Sequence, residues 1–85
     1  MNANEKIQLL EIVKLLYRSC GEAELRQSLR KVAADYIMNF HVSEERTREL
    51  IKAMRELEKA PVEDVREFAI EMCDETIRQI REAKQ

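Results

Sequence analysis

The sequence is poor in the residues that turns and strand reversals require. Its 85 residues include one glycine, one proline and no tryptophan. An all-β fold needs Gly, Pro, Asn or Asp at each reversal, so this scarcity excludes it. Disorder is also excluded, because it requires low hydrophobicity and high net charge, whereas 45% of these residues are apolar and the net charge is −2. At about 100–200 residues per domain, we expect one helical domain over residues 1–85.

Three further absences narrow the class of protein. No run of about 18 apolar residues is present, so no membrane-spanning helix is expected. Two cysteines far apart do not form the framework of a disulfide-stabilised secreted domain, and the first residues make a poor signal peptide, so we expect a cytoplasmic protein. Acidic residues number 17 against 15 Lys and Arg, which makes a nucleic-acid partner unexpected.

What is present is a series of four helical segments, expected to form an all-α, bundle-like fold of two helical hairpins. The segments run from about Asn4 to between Arg18 and Cys20, from about Glu22 to Phe40, from Ser43 to near Lys59, and from Pro61 to about Ala83. The short connection between the first two helices predicts an antiparallel pair. No internal repeat is evident.

Capping residues set the expected helix boundaries. Asn4 and Ser43 are the predicted N-caps of the first and third helices, because their side-chain oxygens accept early backbone N–H groups. Between the first two helices, two interpretations are open. Gly21 closes helix one as a left-handed residue, or Ser19 and Glu22 form a capping box that opens helix two.

The first helix is apolar around most of its circumference. From Ile7 to Cys20, nine of fourteen residues are apolar. Such a helix is usually buried on most of its sides, which a four-helix monomer does not provide. We therefore predict a homodimer, the commonest oligomer, and the alternative is a monomer with helix one at its centre. The predicted dimer interface comprises Leu9, Ile12, Val13, Leu16 and Tyr17.

The remaining apolar residues predict the core. Helix two has the clearest stripe, with apolar residues at spacings of three and four from Leu25 to Phe40. We expect substitution of Leu16 or Leu29 by alanine to cost about 2–5 kcal/mol of stability. The aromatic residues expected in the core or the interface are Tyr17, Tyr36, Phe40 and Phe68.

The residues capable of chemistry form no recognisable catalytic or metal-binding pattern. His41, the single histidine, has no nucleophile or carboxylate at a spacing that would pair with it. Cys20, His41 and Cys73 are isolated, whereas structural zinc sites use closely spaced pairs of ligands. We therefore expect no enzyme activity, no catalytic residue, no metal and no cofactor. A redox role for Cys20 stays open.

The fourth helix has acidic residues along one side, at spacings of three and four. Carboxylates at these spacings repel one another. Two interpretations follow: a solvated face, or a docking surface for a basic protein. The acidic residues concerned are Asp64, Glu67, Glu71, Asp74 and Glu75.

These patterns favour a non-enzymatic protein–protein interaction module, a small cytoplasmic regulator, inhibitor or adaptor that binds another protein. The alternative is a small DNA-binding transcriptional regulator, because residues 32–57 look like a helix-turn-helix segment with its turn at His41 to Ser43. In that motif the start of the second helix meets bases and phosphates. Here that start contains Glu44 and Glu45, which phosphates would repel.

Overall fold

The computed structural model describes residues 1–84, which form four α-helices and no strand, with 88% of the residues helical. The helices are α1 (Ala3–Ser19), α2 (Glu22–Asn39), α3 (Glu44–Lys59) and α4 (Val62–Lys84). The all-α prediction is confirmed, and each predicted segment lies within two residues of an observed helix. The arrangement as two hairpins and the homodimer stay predictions.

Side-chain caps begin two of the helices. Ser43 caps α3 as predicted, because its hydroxyl accepts a hydrogen bond from the backbone N–H of Arg46 at 3.1 Å. The prediction for α1 is wrong by two residues. Asn2, not Asn4, caps this helix, and its side-chain oxygen accepts from the backbone N–H of Glu5 at 2.9 Å.

Both interpretations of the connection between α1 and α2 are wrong. Gly21 has a φ of −71°, so it is not a left-handed residue. The hydroxyl of Ser19 donates to the carbonyl of Leu15 at 3.1 Å inside α1, and it does not cap α2. Extended backbone at Cys20 and Gly21 joins the two helices instead. At the last connection, α4 begins one residue after Pro61, whose carbonyl accepts the first hydrogen bonds of that helix.

Contacts divide the chain into two units. Unit 1 contains residues 1–20 and the chain from Arg66 onward, so it consists of α1 and most of α4. Unit 2 contains residues 21–65, so it consists of α2, α3 and the first turn of α4. The predicted pair of α1 and α2 concerns helices of different units, and it stays a prediction.

Within unit 1, α1 and α4 run antiparallel. The guanidinium of Arg66, near the start of α4, donates to the carbonyls of Tyr17 and Cys20 at 2.5 and 2.9 Å. Further along α4, Asp74 lies 2.5 Å from the Nζ of Lys14. Positions further along α4 therefore lie beside earlier positions of α1, so the two helices run in opposite directions. The buried side chains of this unit are Ala69, Cys73 and Ile77.

Within unit 2, α2 and α3 are also antiparallel. The guanidinium of Arg26, near the start of α2, donates to the carbonyls of Leu57 and Ala60 at 2.7 Å each. One turn further along α2, Arg30 pairs with Glu58. Residues 40–43 join the end of α2 to the start of α3, so the two helices run in opposite directions when the start of α2 lies at the end of α3. The buried side chains of this unit are Leu25, Leu29 and Val65.

The two halves of the chain correspond at an offset of 40 residues. Arg26 and Arg66 are 40 positions apart, and so are the carbonyl groups that they bind. The matching acceptors are Tyr17 with Leu57 and Cys20 with Ala60. Four of the six buried residues follow the same offset, since Leu25 matches Val65 and Leu29 matches Ala69. The other two, Cys73 and Ile77, match positions that are half-buried. Each unit thus combines the first helix of one half with the second helix of the other.

This structural repeat is hidden in the sequence. Only four of the 40 aligned pairs are identical. The identical residues are Glu5 and Glu45, Leu10 and Leu50, Arg26 and Arg66, and Ile37 and Ile77. The repeat is therefore visible in the hydrogen bonds and the burial pattern but not in the residue identities.

Several side chains expected in the core are exposed. Leu16 is 59% exposed, because α1 is covered on one side only within unit 1. Tyr36, Phe40 and Phe68 are also exposed, so their placement in the core is wrong, and their placement in an interface stays a prediction. Leu29 is buried as expected.

Candidate functional site

The helix α1 presents two apolar surfaces. On the side where Lys14 meets Asp74, its apolar side chains are half-buried. On the opposite side, four large apolar side chains are exposed at spacings of three and four, so they share one face of the helix. We call these residues the α1 outward surface: Leu9 is 48% exposed, Ile12 54%, Leu15 61% and Leu16 59%.

The matching positions of α3 are all charged. At the offset of 40 residues they are Glu49, Lys52, Arg55 and Glu56, and all four are exposed. Neither α1 nor α3 contains a fully buried residue. The fold therefore accepts charged residues at these positions. Packing within the chain does not explain why they are apolar in α1.

Three of the five residues predicted at a dimer interface lie on the α1 outward surface, namely Leu9, Ile12 and Leu16. Val13 and Tyr17 are half-buried on the opposite side of the helix. Burial there raises the pKa of the Tyr17 phenol. Sequence reasoning missed Leu15, the most exposed of the four, although its spacing of three from Ile12 places it on the same face.

Charged side chains near the ends of the α1 outward surface have no ion-pair partner among residues 1–83, whose side chains the structure describes. Glu5 lies in line with the surface, one turn before it begins, and Arg18 follows Leu15 by one turn at its other end. Lys14 is different, because it pairs with Asp74 at 2.5 Å and with Glu11 at 3.6 Å. The hydrogen bond to Asp74 is the main cause of the raised pKa of Lys14.

The predicted acidic surface of α4 is partly neutralised by neighbouring residues. Asp74 pairs with Lys14, and Glu75 pairs with Arg78. The hydrogen bond from Arg78 is the main cause of the lowered pKa of Glu75. The exposed members that have no ion-pair partner in the described part of the chain are Asp64, Glu67 and Glu71.

The segment that looked like a helix-turn-helix, residues 32–57, joins the second half of α2 to α3. Three arginines in or next to this segment are paired with carboxylates. The pairs are Arg30 with Glu58 at 2.5 Å, Arg46 with Glu49 at 3.1 Å, and Arg48 with Glu44 at 2.6 Å. A phosphate would have to compete with these carboxylates.

Across residues 1–84, no group of three or more His, Cys, Asp or Glu side chains is placed to hold a metal ion. Both cysteines are free thiols. Cys73 is buried, and its burial raises the pKa of the thiol. Cys20 is half-buried, with its Sγ 3.8 Å from the carbonyl oxygen of Tyr17.

Comparison with protein-family models, with curated proteins and with solved structures found no match to this chain. None of the helices in the described residues is both long and apolar enough to cross a membrane. Function is therefore inferred from the geometry of the chain itself, and its most distinctive feature is the α1 outward surface.

Proposed function

We propose that this chain is a non-enzymatic protein–protein interaction module, and that the α1 outward surface is its docking surface. The contrast between α1 and α3 is the main support. Equivalent positions of the same fold are charged in one helix and apolar in the other. Contiguous exposed apolar side chains on a small protein mark interaction sites.

Burial of apolar area drives this docking. A fully buried Leu or Ile side chain contributes about 1.5–3 kcal/mol, and each of these four has about half of its surface left to bury. Apolar burial has no direction, so charges at the edge of the surface set the orientation of the partner. A module of this kind regulates, inhibits or links its partner by occupying a surface, and it needs no cofactor.

The proposal gives the acidic surface of α4 a second role. Its unpaired carboxylates, on Asp64, Glu67 and Glu71, attract and orient a basic protein. The proposal places the module in the cytoplasm, and the two free thiols support a reducing compartment.

The internal repeat supplies the test of the docking surface. The four outward residues are replaced by those at the matching positions of α3, in a fourfold variant. The substitutions are Leu9→Glu, Ile12→Lys, Leu15→Arg and Leu16→Glu. We expect the variant to keep the helix content of the wild type by circular dichroism. We also expect it to lose the fluorescence that the dye ANS gives on exposed apolar surfaces.

A matched control introduces charges on the other side of the same helix. Leu10→Glu with Val13→Lys places them where α1 is half-buried, and this variant should lose helix content because charges are costly to bury. If the fourfold variant also loses its helix content, the outward residues belong to the core and the proposed docking surface is wrong.

The competing hypothesis, a DNA-binding regulator, has its own test. A gel-shift assay with a mixed-sequence duplex at low salt should give no complex, because the chain has no basic excess. A complex that weakens steeply with salt and is lost on Arg55→Gln would favour DNA binding through α3.

A further inference from the structure

We propose that the partner of the α1 outward surface is a second copy of this chain, with the two α1 helices packed antiparallel. This inference rests on the proposed function and names the occupant of the same surface. It follows from two features of α1, the symmetric spacing of its outward residues and the placement of its unpaired charges.

The spacing of three of the four outward residues is symmetric about Ile12, whereas the fourth, Leu16, has Gln8 at the equivalent position on the other side of Ile12. Leu9 precedes Ile12 by three positions and Leu15 follows it by three. An antiparallel second copy with its two-fold axis at Ile12 therefore places Leu9 of each copy against Leu15 of the other. A two-fold contact requires this self-complementarity, because the same surface serves both partners.

The unpaired charges complement each other in this orientation. The same two-fold axis places Glu5 of one copy opposite Ser19 of the second copy, next to Arg18 of the second copy, and it places Arg18 at the level of Lys6. Both Glu5 and Arg18 lack an ion-pair partner within the described residues. Lys6 belongs to the other side of the helix, one turn before Leu10. Parallel packing would instead bring Glu5 against Glu5 and repel.

The same surface does not suit a membrane. Helices that lie in a bilayer interface have Lys and Arg along the polar face. The charges around α1 have both signs, and Lys14 is held by Asp74 and Glu11. The geometry of α1 therefore favours a protein partner. The partner's own surface would be apolar, with an acidic residue at one end and a basic residue at the other.

The size of the contact predicts a weak dimer. The 17 residues of α1 span about 25 Å at about 1.5 Å per residue. One helix face of this length falls short of the roughly 800 Å² per partner of a standard interface, so we expect dissociation in the micromolar range. A two-fold contact uses the same surface of both copies, so association through the α1 outward surface stops at two copies.

The test reverses the two charges singly and together in the full chain. Sedimentation velocity at low salt measures the dimer dissociation constant of the wild type, Glu5→Arg, Arg18→Glu and the double variant. Each single reversal should raise the constant about three- to tenfold, because two symmetric pairs are lost. The double reversal restores opposite charges and should return the constant to near that of the wild type. Glu24→Arg on α2 is the control for net charge.

The outcomes separate this inference from the proposed function. A wild-type chain that stays monomeric at every concentration refutes the proposal that a second copy is the partner. The proposed docking surface is still supported in that case if the fourfold variant is folded. A dimer that the double reversal does not restore overturns the antiparallel arrangement. A dimer that persists in the fourfold variant overturns the second copy on this surface, whereas loss of helix content in that variant overturns the docking surface itself.

Discussion

Arg26 and Arg66 lie 40 residues apart and bind the ends of two different helices in the same way. Each donates to a pair of carbonyl groups three positions apart, at the end of α3 for Arg26 and at the end of α1 for Arg66. Arg26 also donates to the carbonyl of Glu58 at 3.4 Å. The last carbonyls of a helix have no partner within the helix. One arginine therefore satisfies acceptors and fixes the antiparallel pair in each unit.

Loss of either arginine should destabilise the chain. A hydrogen bond from a charged donor contributes about 1.5–3 kcal/mol, and an acceptor left unsatisfied costs about 1–3 kcal/mol. The Leu57 carbonyl also accepts from the backbone N–H of Ala60 at 3.2 Å, so it keeps one partner when Arg26 is lost. We expect Arg26→Met and Arg66→Met to lower the free energy of unfolding by about 1–3 kcal/mol each, measured by urea denaturation. Lysine at either position keeps the charge but not the planar fork, so it should restore only part of the loss. Unchanged stability in both Met variants would contradict the proposed role.

Two leucines should respond differently to the same substitution. Leu25 is fully buried, and Leu25→Ala should cost about 2–5 kcal/mol. Leu16 is exposed, and Leu16→Ala should cost no more than about 0.5 kcal/mol in the monomer. Urea denaturation at low protein concentration compares them, and equal costs would mean that α1 is covered on both sides.

Stability should fall in acid through the carboxylates that arginines hold. The hydrogen bond from Arg30 lowers the pKa of Glu58, and that from Arg78 lowers the pKa of Glu75. A lowered pKa in the folded state means that these groups stabilise the fold at neutral pH. That contribution is lost as the pH falls below the ordinary value of 4.5 and through the lowered one.

A variant pair isolates this effect for one carboxylate. Glu58→Gln should be less stable than the wild type at pH 7, and the difference should shrink as the pH falls below 4.5. Glu56→Gln, an exposed position without an ion-pair partner in residues 1–84, is the control. A difference for Glu58→Gln that stays constant from pH 7 to pH 3 would show that its ion pair with Arg30 does not form.

The two thiols should react at different rates. Cys73 is buried and its pKa is raised by burial, so little thiolate is present and the reagent reaches it only when the helices open. Cys20 is half-buried and should react first. With the reagent DTNB at pH 8, Cys20→Ser should remove the fast phase and Cys73→Ala the slow one. The opposite assignment would place Cys73 at the surface.

Local signals in the sequence predicted the helices but not how they pair. Ser43 followed by two glutamates marks the start of α3 because a cap depends only on nearby backbone groups. The pairing of α1 with α4 depends on contacts between residues far apart in sequence, such as Arg66 with Tyr17. No pattern of spacing reports such a contact. The repeat stayed hidden because burial at matching positions is preserved while residue identity is not.

The candidate site was predicted in part for a similar reason. The excess of apolar residues in α1 indicated a second covered side, and Leu9, Ile12 and Leu16 do lie on an exposed face. Composition alone does not tell which face of α1 meets α4, so Val13 and Tyr17 were grouped with them although they are half-buried there. Only the match to α3 shows that the exposed apolar residues are not required by the fold.

The most direct test of the central claim is the molar mass in solution, measured by light scattering across a dilution series. For the wild type, we predict a mass that rises with concentration from 10.1 kDa towards twice that value. The fourfold variant, with the charged residues of α3 on α1, should stay at 10.1 kDa throughout. A wild type that never exceeds the monomer mass, or a variant that associates equally well, would contradict a second copy on the α1 outward surface.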